Sequence, residues 1–162
     1  MEVRRLGRDE AGLAAPLAAS FRVTLKGYKG LAALPDEAAG CEELLEYLDA
    51  GWPVYIAMEQ GMCAGYLVCR VEAPCVWVES VFVREAYRRQ GIATALLREA
   101  EALAKSYGEE TLYFYVHPNN EGMIAFLRGH GYTVLNLIEI RRPYAGERPS
   151  ATIRVGENDF DY

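Results

Sequence analysis

The stretch that most constrains this chain is residues 76–107, where a strand, a polar turn and a helix follow one another directly. Residues 76–83 are apolar, β-branched or aromatic apart from Glu79 and Ser80, and this pattern predicts a mostly buried strand. Residues 84–90 form a polar connection. From Gly91 onward apolar residues repeat at helical spacing, which predicts an amphipathic helix.

The junction between this strand and this helix has the features of an anion site. A helix N-terminus leaves about four backbone N–H groups without partners and carries roughly half a positive charge. Gly91 has no side chain to hinder a ligand, Thr94 adds a hydroxyl, and no capping side chain precedes the helix. Arg88 and Arg89 add positive charge. The pattern predicts a phosphate site, and an ordinary strand-to-helix turn with exposed arginines is the alternative.

Two motifs in this region resemble signatures of the GNAT N-acetyltransferase superfamily. Residues 88–93, RRQGIA, fit the pattern Q/R-x-x-G-x-G/A. Residues 117–132 contain HPNNEGMIAFL followed by a Gly-Tyr pair, which resembles the second signature of that family. The two motifs occur in the family's order, separated by a predicted helix and a predicted strand, and the resemblance covers residues 76–132.

The resemblance implies an α/β fold with a single-domain, mixed, mostly antiparallel sheet of six to seven strands, flanked by helices on both faces. It also implies that the sheet splays open beside its central strand, where a cofactor enters. The order of predicted elements gives the same class. Predicted helices cover residues 9–25 (with an interruption expected at Pro16), 36–50, 91–107 and 121–128, the last capped by Asn119; predicted strands cover residues 2–6, 54–58, 62–72, 76–83, 111–116 and 132–142.

Residues 143–162 form a C-terminal tail of the single predicted domain, residues 1–162. Within the tail, residues 151–155 could form a last strand, whereas residues 159–162 are expected to be loose or to pack on a partner. The tail and the strand before it favour a homodimer.

The resemblance further implies acetyl-CoA as co-substrate and no metal. The backbone amides of residues 89–94 would hold its pyrophosphate, and its pantetheine arm would run along residues 81–83 like an extra strand. Asn120 matches an asparagine that contacts the arm in the family, and a simple helix-start role is its alternative. The residues expected to bind the cofactor are Val81, Phe82, Val83, Arg88, Arg89, Gln90, Gly91, Ile92, Ala93, Thr94, Asn120 and Phe126.

Glu79 is the candidate general base, because transfer needs an uncharged amine and a carboxylate inside an apolar strand is costly unless it is paired or wet. The alternative is that Glu79 only pairs with an arginine such as Arg70. Strict alternation places Glu79 on the same face as Val81 and Val83, and a bulge would change that register. The backbone N–H of Val81 or Phe82 is the candidate donor to the carbonyl oxygen that becomes negative.

The candidate proton donor is where the chain departs from the family pattern. The family usually has a tyrosine in the helix of the second signature, and Leu127 occupies that position here. A leucine cannot donate a proton to the departing thiolate. Tyr115 is the candidate replacement, because the end of its strand should face the acceptor, with Tyr113, Tyr132 or water as alternatives. A packed aromatic ring is the competing interpretation of Tyr115.

Composition limits the partners and the location. The net charge of −6, from 17 basic and 23 acidic residues, argues against nucleic-acid binding. No apolar run approaches the ~18 residues of a membrane span and no signal-peptide pattern is present, so we expect no membrane partner and a cytoplasmic location. The four cysteines lack zinc-site spacing and are expected to be reduced and structural.

These patterns predict an acetyl-CoA-dependent N-acetyltransferase that moves an acetyl group directly to a small-molecule or peptide amine. Residues 21–34, with Tyr28, are expected to contribute to the acceptor pocket. One alternative is a coenzyme A-binding sensor or interaction protein with weak or no catalysis, which the position of Leu127 supports. Another is an unrelated phosphate-binding domain, favoured only if residues 81–83 are closed on both strand edges.

Overall fold

The computed structural model describes residues 1–149 and 151–162. By its contacts the chain divides into two compact units, Met1–Phe126 and Leu127–Tyr162. The helices are α1 (Ala11–Tyr28), α2 (Glu37–Asp49), α3 (Ile92–Ser106) and α4 (Glu121–Gly129). The strands are β1 (Glu2–Arg5), β2 (Val54–Glu59), β3 (Met62–Glu72), β4 (Cys75–Val83), β5 (Tyr113–Phe114), β6 (Thr152–Val155) and β7 (Asn158–Asp161).

The main sheet has the order β1-β2-β3-β4-β5. The first three pairs are antiparallel and β4 pairs with β5 in parallel. The hairpin between β2 and β3 turns at Gln60 and Gly61, which have φ angles of 50° and 79°, the positive values that a tight two-residue hairpin turn needs. The predicted mixed, mostly antiparallel sheet is confirmed, but among the described residues it has five strands where six to seven were expected, and β6 and β7 form a separate two-stranded sheet.

Helices cover both faces of this sheet. On one face, Tyr66 and Val68 of β3 belong to a buried apolar cluster with Leu17 of α1 and Leu44 of α2. We call this side the α1/α2 face. On the other face, a Cβ added at Gly65 would lie 2.9 Å from Cγ2 of Ile92, so α3 packs directly against the backbone of β3 there. The predicted flanking of the sheet by helices on both faces is confirmed.

Helix α1 runs through Pro16 without the expected interruption. A proline in a helix removes one backbone hydrogen bond, which usually kinks or breaks it. Here most residues around Pro16 are buried small or apolar side chains, so tertiary packing stabilises the continuous helix. The Ser20 hydroxyl also donates a hydrogen bond of 2.8 Å to the Pro16 carbonyl. None of the helices in the described ranges is long and apolar enough to cross a membrane.

The unit Leu127–Tyr162 departs most from the sequence-based expectation. The strand predicted over residues 132–142 is wrong: this segment contains no strand. Strand propensity is realised only where a partner strand and a packing surface exist, and the strands of this unit pair with each other instead. The segment exposes several large apolar side chains: Val134, Leu135, Leu137, Ile138 and Ile140.

The C-terminal tail forms a two-stranded hairpin. Strand β6 confirms the expected strand at residues 151–155. Residues 159–161 are not loose, because β7 pairs antiparallel with β6, from Thr152 opposite Asp161 to Val155 opposite Asn158. Packing of this end on a partner stays a prediction.

Candidate functional site

The turn before α3 and the first residues of that helix, residues 88–94, are together called the glycine turn below. Gly91 occupies the N-cap position of α3 with φ 82° and ψ 0°, in the left-handed region, and makes no side-chain cap. A Cβ added at Gly91 would meet no atom within 4 Å, so the space beside it is open. A glycine is therefore needed here for its backbone conformation, and the helix end that it opens is accessible.

The two arginines of the glycine turn have different roles. Arg88 folds back onto β4: its Nε donates a 3.1 Å hydrogen bond to the Val83 carbonyl, and its guanidinium lies 5.4 Å from the Phe82 ring centroid. Arg89 is exposed and adopts a positive φ of 63°. Gln90 donates from its side-chain amide to the Ala86 carbonyl at 3.1 Å. Arg88 and Gln90 therefore fix the shape of the turn, and Arg89 leaves its charge at the surface.

One edge of β4 is open next to this turn. Strand β5 pairs with β4 only at Trp77 and Val78, whereas β3 continues alongside to Val83. The strand predicted over residues 111–116 is thus only two residues long. Among the described residues no strand covers the β5-facing edge of residues 80–83, which matches the expected splay of the sheet. The unrelated phosphate-binding alternative, which required both edges to be closed, loses its support.

The register shows which groups face the open edge. The Arg84 N–H donates to the Ala64 carbonyl of the neighbouring chain segment at 2.8 Å. In an antiparallel pair, every second residue directs its backbone N–H and C=O toward the same neighbouring strand. Phe82, two residues before Arg84, therefore also faces β3, whereas the backbone groups of Val81 and Val83 face the open edge. The Val83 carbonyl accepts the hydrogen bond from Nε of Arg88. Of the two candidate oxyanion donors, the N–H of Val81 is therefore the one that faces the gap.

Glu79 lies at a bulge of β4. Ser80 stands opposite Val68 and Val78 stands opposite Cys69, so Glu79 is the extra residue. The bulge releases Glu79 from strict alternation and lets it approach Arg70, with Nε and Oε2 3.4 Å apart. The interpretation of Glu79 as an ion-pair partner of Arg70 therefore matches the geometry. Because 32% of its side chain is exposed, Glu79 also remains reachable from solvent.

Tyr115 follows directly on the last paired part of β5. Its ring stacks on Trp77 with centroids 4.9 Å apart and an interplanar angle of 11°, yet the residue is 66% exposed. Tyr113 also contacts Trp77, at 4.8 Å. The ring of Tyr115 is thus packed, as the alternative interpretation expects. The residue is also exposed, and it lies just beyond the last pair of residues that joins β4 and β5.

Residues that the sequence analysis did not single out line the α1/α2 face. The Tyr47 hydroxyl donates a 2.6 Å hydrogen bond to Glu43, and Arg22 pairs with the same carboxylate. Burial raises the pKa of Tyr47, and the hydrogen bond to Glu43 and the charges of Glu43 and Glu79 raise it further. This hydrogen bond could have been predicted from the sequence, because Glu43 and Tyr47 are four residues apart on α2 and side chains at that spacing lie next to each other on a helix.

Asn120, not Asn119, caps α4, so the predicted cap was wrong by one residue. The Asn120 Oδ1 accepts the Met123 N–H at 3.1 Å. Asn119 instead donates through its side-chain amide to the Tyr28 carbonyl at 3.2 Å. The helix-start interpretation of Asn120 therefore matches the geometry. Phe126, on the same helix, is half-buried.

The candidate residues fall into two groups along β4. The glycine turn and the open edge at residues 81–83 are consecutive in the chain, and Arg88 ties them together. Glu79 and Tyr115 are associated through Arg70, which contacts both. Within residues 1–149 and 151–162, no group of three or more histidine, cysteine, aspartate or glutamate side chains could hold a metal ion.

Comparison with known proteins identifies relatives. The family model for the acetyltransferase (GNAT) family matches residues 28–132. A GCN5-related N-acetyltransferase 4 of Arabidopsis thaliana, described as chloroplastic, is 36% identical over 63 residues, or 39% of this chain. That match spans only 22% of the plant protein's length.

Solved structures resemble the fold more extensively. An aminoglycoside 6'-N-acetyltransferase from Acinetobacter haemolyticus superposes with a TM-score of 0.65 and 21% identity, covering 89% of this chain and 99% of that one. A ribosomal-protein-alanine N-acetyltransferase from Brucella melitensis gives a TM-score of 0.69 at 18% identity, with coverages of 88% and 99%. An aminoglycoside acetyltransferase bound to a coenzyme A bisubstrate analogue gives a TM-score of 0.69 at 18% sequence identity. The match covers 88% of this chain and 97% of that one.

Proposed function

Because this chain belongs to the GNAT acetyltransferase family, we propose that it is an N-acetyltransferase that moves an acetyl group directly from acetyl-CoA to an amine. The family match over residues 28–132 supports the acetyltransferase class. The observation that carries the rest is the open edge of β4 leading into the uncapped, glycine-initiated end of α3. An elongated ligand with an anionic segment is complementary to these adjacent features.

Acetyl-CoA fits the groups present. The backbone amides of residues 89–94 would receive the pyrophosphate, since no side chain caps α3 and the space beside Gly91 is open. The pantetheine arm would pair with the outward-facing backbone of Val81 and Val83. Since the Val83 carbonyl already accepts a hydrogen bond from Arg88, we expect the Val81 carbonyl to be the acceptor for the arm, which leaves the Val81 N–H for the acetyl oxygen. Asn120 and Phe126 would contact the arm from α4.

The proposed chemistry uses three groups of this chain. Acetyl-CoA supplies the activated acetyl thioester. Glu79 takes a proton from the acceptor ammonium, so that the neutral amine can attack the acetyl carbonyl. The N–H of Val81 donates to the oxygen on which negative charge develops. Tyr115 is proposed to deliver a proton to the departing sulfur in place of the family tyrosine, whose position is Leu127 here.

A second candidate function is a coenzyme A-binding protein with little catalysis. Leu127 favours it, because this position holds a buried aliphatic side chain that can neither donate a proton nor hydrogen-bond the sulfur. In this alternative the glycine turn and the open edge would still bind coenzyme A, but no acceptor would be turned over.

An amine-dependent thiol-release assay separates the two candidates. We expect free coenzyme A to appear only when acetyl-CoA and a suitable amine are both present, with acetylated amine formed in equal amount. The sensor alternative predicts calorimetric binding of acetyl-CoA without release for any amine. Absence of both binding and release would contradict the proposal as a whole.

The assembly and the location are also proposals. A homodimer would bury the apolar side chains that residues 134–140 expose. A cytoplasmic location is consistent with two buried free cysteines, because thiols are kept reduced in that compartment.

A further inference from the structure

Four side chains on the α1/α2 face form a compact group beside the bulge of β4. Arg70 of β3 stands opposite Trp77 of β4 in the register. Its guanidinium carbon lies 5.3 Å from the Trp77 ring centroid and 6.0 Å from the Tyr115 ring centroid. Its Nε lies 3.4 Å from the carboxylate of Glu79. We call Arg70, Trp77, Glu79 and Tyr115 the bulge cluster.

This group differs from an ordinary surface ion pair. The Arg70 Nε is buried and has no hydrogen-bond acceptor among the described residues, because the 3.4 Å contact with Glu79 lacks hydrogen-bond geometry. A buried donor without an acceptor costs free energy. The Arg70 side chain is 23% exposed, so its guanidinium can still be reached by a ligand that carries an acceptor. The other ion pair of Arg70, from Nη1 to Glu72 at 3.0 Å, involves a carboxylate that is 59% exposed and is readily exchanged.

The charges of the face favour one class of acceptor. Glu79 lies beside Arg70, and Glu43 of α2 is paired with Arg22. A polycationic acceptor would bring additional positive charges close to Arg70 and Arg22, which repel them. A molecule with adjacent positive and negative groups could instead place its positive group against Glu79 and its negative group against Arg70.

We propose that the acceptor is an α-amino acid with an apolar or aromatic side chain, bound by the bulge cluster; this inference rests on the proposed acetyltransferase function. The α-ammonium contacts Glu79, the carboxylate contacts Arg70, and the side chain packs on the exposed ring of Tyr115. In an α-amino acid a single carbon separates the two charged groups, which matches the 3.4 Å between the Arg70 and Glu79 groups that receive them.

The step balances without a further reactant. Glu79 removes one proton from the ammonium, and the amine nitrogen forms a bond to the acetyl carbon while the carbon–sulfur bond breaks. The second amine proton is lost as the amide forms, and one proton is returned to the sulfur. The products are an N-acetyl amino acid and coenzyme A. Arg70 binds the acceptor and takes no part in the proton transfers.

Steady-state kinetics with matched acceptors tests the inference. The probes are L-phenylalanine, its methyl ester and phenethylamine, which share the ring and the amine but differ in the carboxylate, together with spermidine. We expect L-phenylalanine to be the best acceptor, with a KM at least about tenfold below those of the ester and of phenethylamine, because a charge-assisted contact is lost in both.

The Arg70→Gln variant should raise the KM for L-phenylalanine by about tenfold to a hundredfold and leave those for phenethylamine and acetyl-CoA nearly unchanged. Arg70→Lys keeps the charge, so its KM for L-phenylalanine should lie between those of wild type and Arg70→Gln. This variant replaces Arg70→Gln in the test if Arg70→Gln does not fold. Arg98→Gln, on the exposed side of α3, is the matched control and should behave as wild type.

Two results would overturn the inference while leaving the acetyltransferase proposal intact. The first is acetylation of phenethylamine or spermidine as good as that of L-phenylalanine. The second is an Arg70→Gln variant that affects acceptors with and without a carboxylate equally. Acetyl-CoA binding without turnover of any of these four probes would also overturn this inference, and the thiol-release assay with other amines would then decide the proposed function separately.

Discussion

At the scale of the residue, Gly91 is important for its backbone conformation. Gly91 has φ 82°, and Gly108, just beyond the other end of α3, has φ 83°. Neither would bring a Cβ within 4 Å of another atom. The two glycines therefore share the same conformational strain on substitution, about 1–2 kcal/mol for an L-residue, but only Gly91 lies at the positive end of the helix dipole.

This pair gives a controlled test of the phosphate site. Gly91→Asp adds a negative charge where the pyrophosphate is proposed to bind, so we expect calorimetric affinity for coenzyme A to fall by a hundredfold or more, about 3 kcal/mol. Gly108→Asp should keep near-normal affinity despite the same strain. Equal affinities in the two variants would contradict a phosphate site at the glycine turn.

Glu79 is the second residue whose role can be measured. If it acts as general base, Glu79→Gln should lower kcat by about a hundredfold near neutral pH, and the loss should shrink at high pH as the amine loses its proton in solution. Glu72→Gln is the matched control, since Glu72 is the other carboxylate in contact with Arg70. An unchanged pH–rate profile in Glu79→Gln would reduce Glu79 to an ion-pair partner.

At the scale of the element, a contact joins the end of α1 to the loop before α4. The Tyr28 ring stacks on His117 with centroids 5.5 Å apart, and the Asn119 N–H donates to Nδ1 of His117 at 3.2 Å. Because Nδ1 accepts this bond, it carries no proton. Burial, followed by the charge of Lys29, lowers the pKa of His117.

Because the pKa of His117 is lowered in the folded chain, the stability of the fold depends on pH. The unfolded chain protonates His117 near its ordinary pKa of 6.5, whereas the folded chain does so only at lower pH. The contact therefore stabilises the fold fully above about pH 6.5 and less as the pH falls below it. We expect urea unfolding to show a steeper loss of stability from about pH 7.5 to about pH 5 in wild type than in His117→Gln. Parallel losses in both proteins would contradict this role.

The sequence predicted the elements whose periodicity is local. The hairpin of β2 and β3 and the succession of β4, turn and α3 were recognisable because apolar spacing and turn residues act over a few positions. The bulge at Glu79 was not predictable, since it depends on the pairing of β4 with β3. The short β5 and the missing strand at residues 132–142 also depend on long-range partners, which strand propensity does not specify.

The candidate site divides in the same way. The glycine turn could be located from sequence, because its glycine and arginines are consecutive in the chain. The contacts of Arg70 with Trp77, Glu79 and Tyr115 join β3, β4 and the residue that follows β5, so only the fold reveals them. The hydrogen bond from Arg88 to the Val83 carbonyl likewise shows that an arginine in a predicted phosphate motif can stabilise the turn itself.

At the scale of the whole molecule, the proposed homodimer can be tested through the exposed apolar segment. Leu135 and Leu137 are 77% and 72% exposed. If residues 134–140 lie in the interface, the double variant Leu135→Arg and Leu137→Arg should sediment as a monomer at concentrations where wild type is a dimer, because charges cannot be buried there without partners. The double variant Arg141→Ala and Arg142→Ala is the control outside the apolar run. A wild-type chain that sediments as a monomer would contradict the dimer.

We propose that one coenzyme A molecule occupies both the open edge of β4 and the glycine turn. A crystal structure of the chain with coenzyme A measures this directly. We expect pyrophosphate oxygens within hydrogen-bond distance of the backbone amides of residues 89–94 and the pantetheine arm paired with Val81. Coenzyme A bound elsewhere, with those amides occupied by side chains of the protein itself, would contradict it.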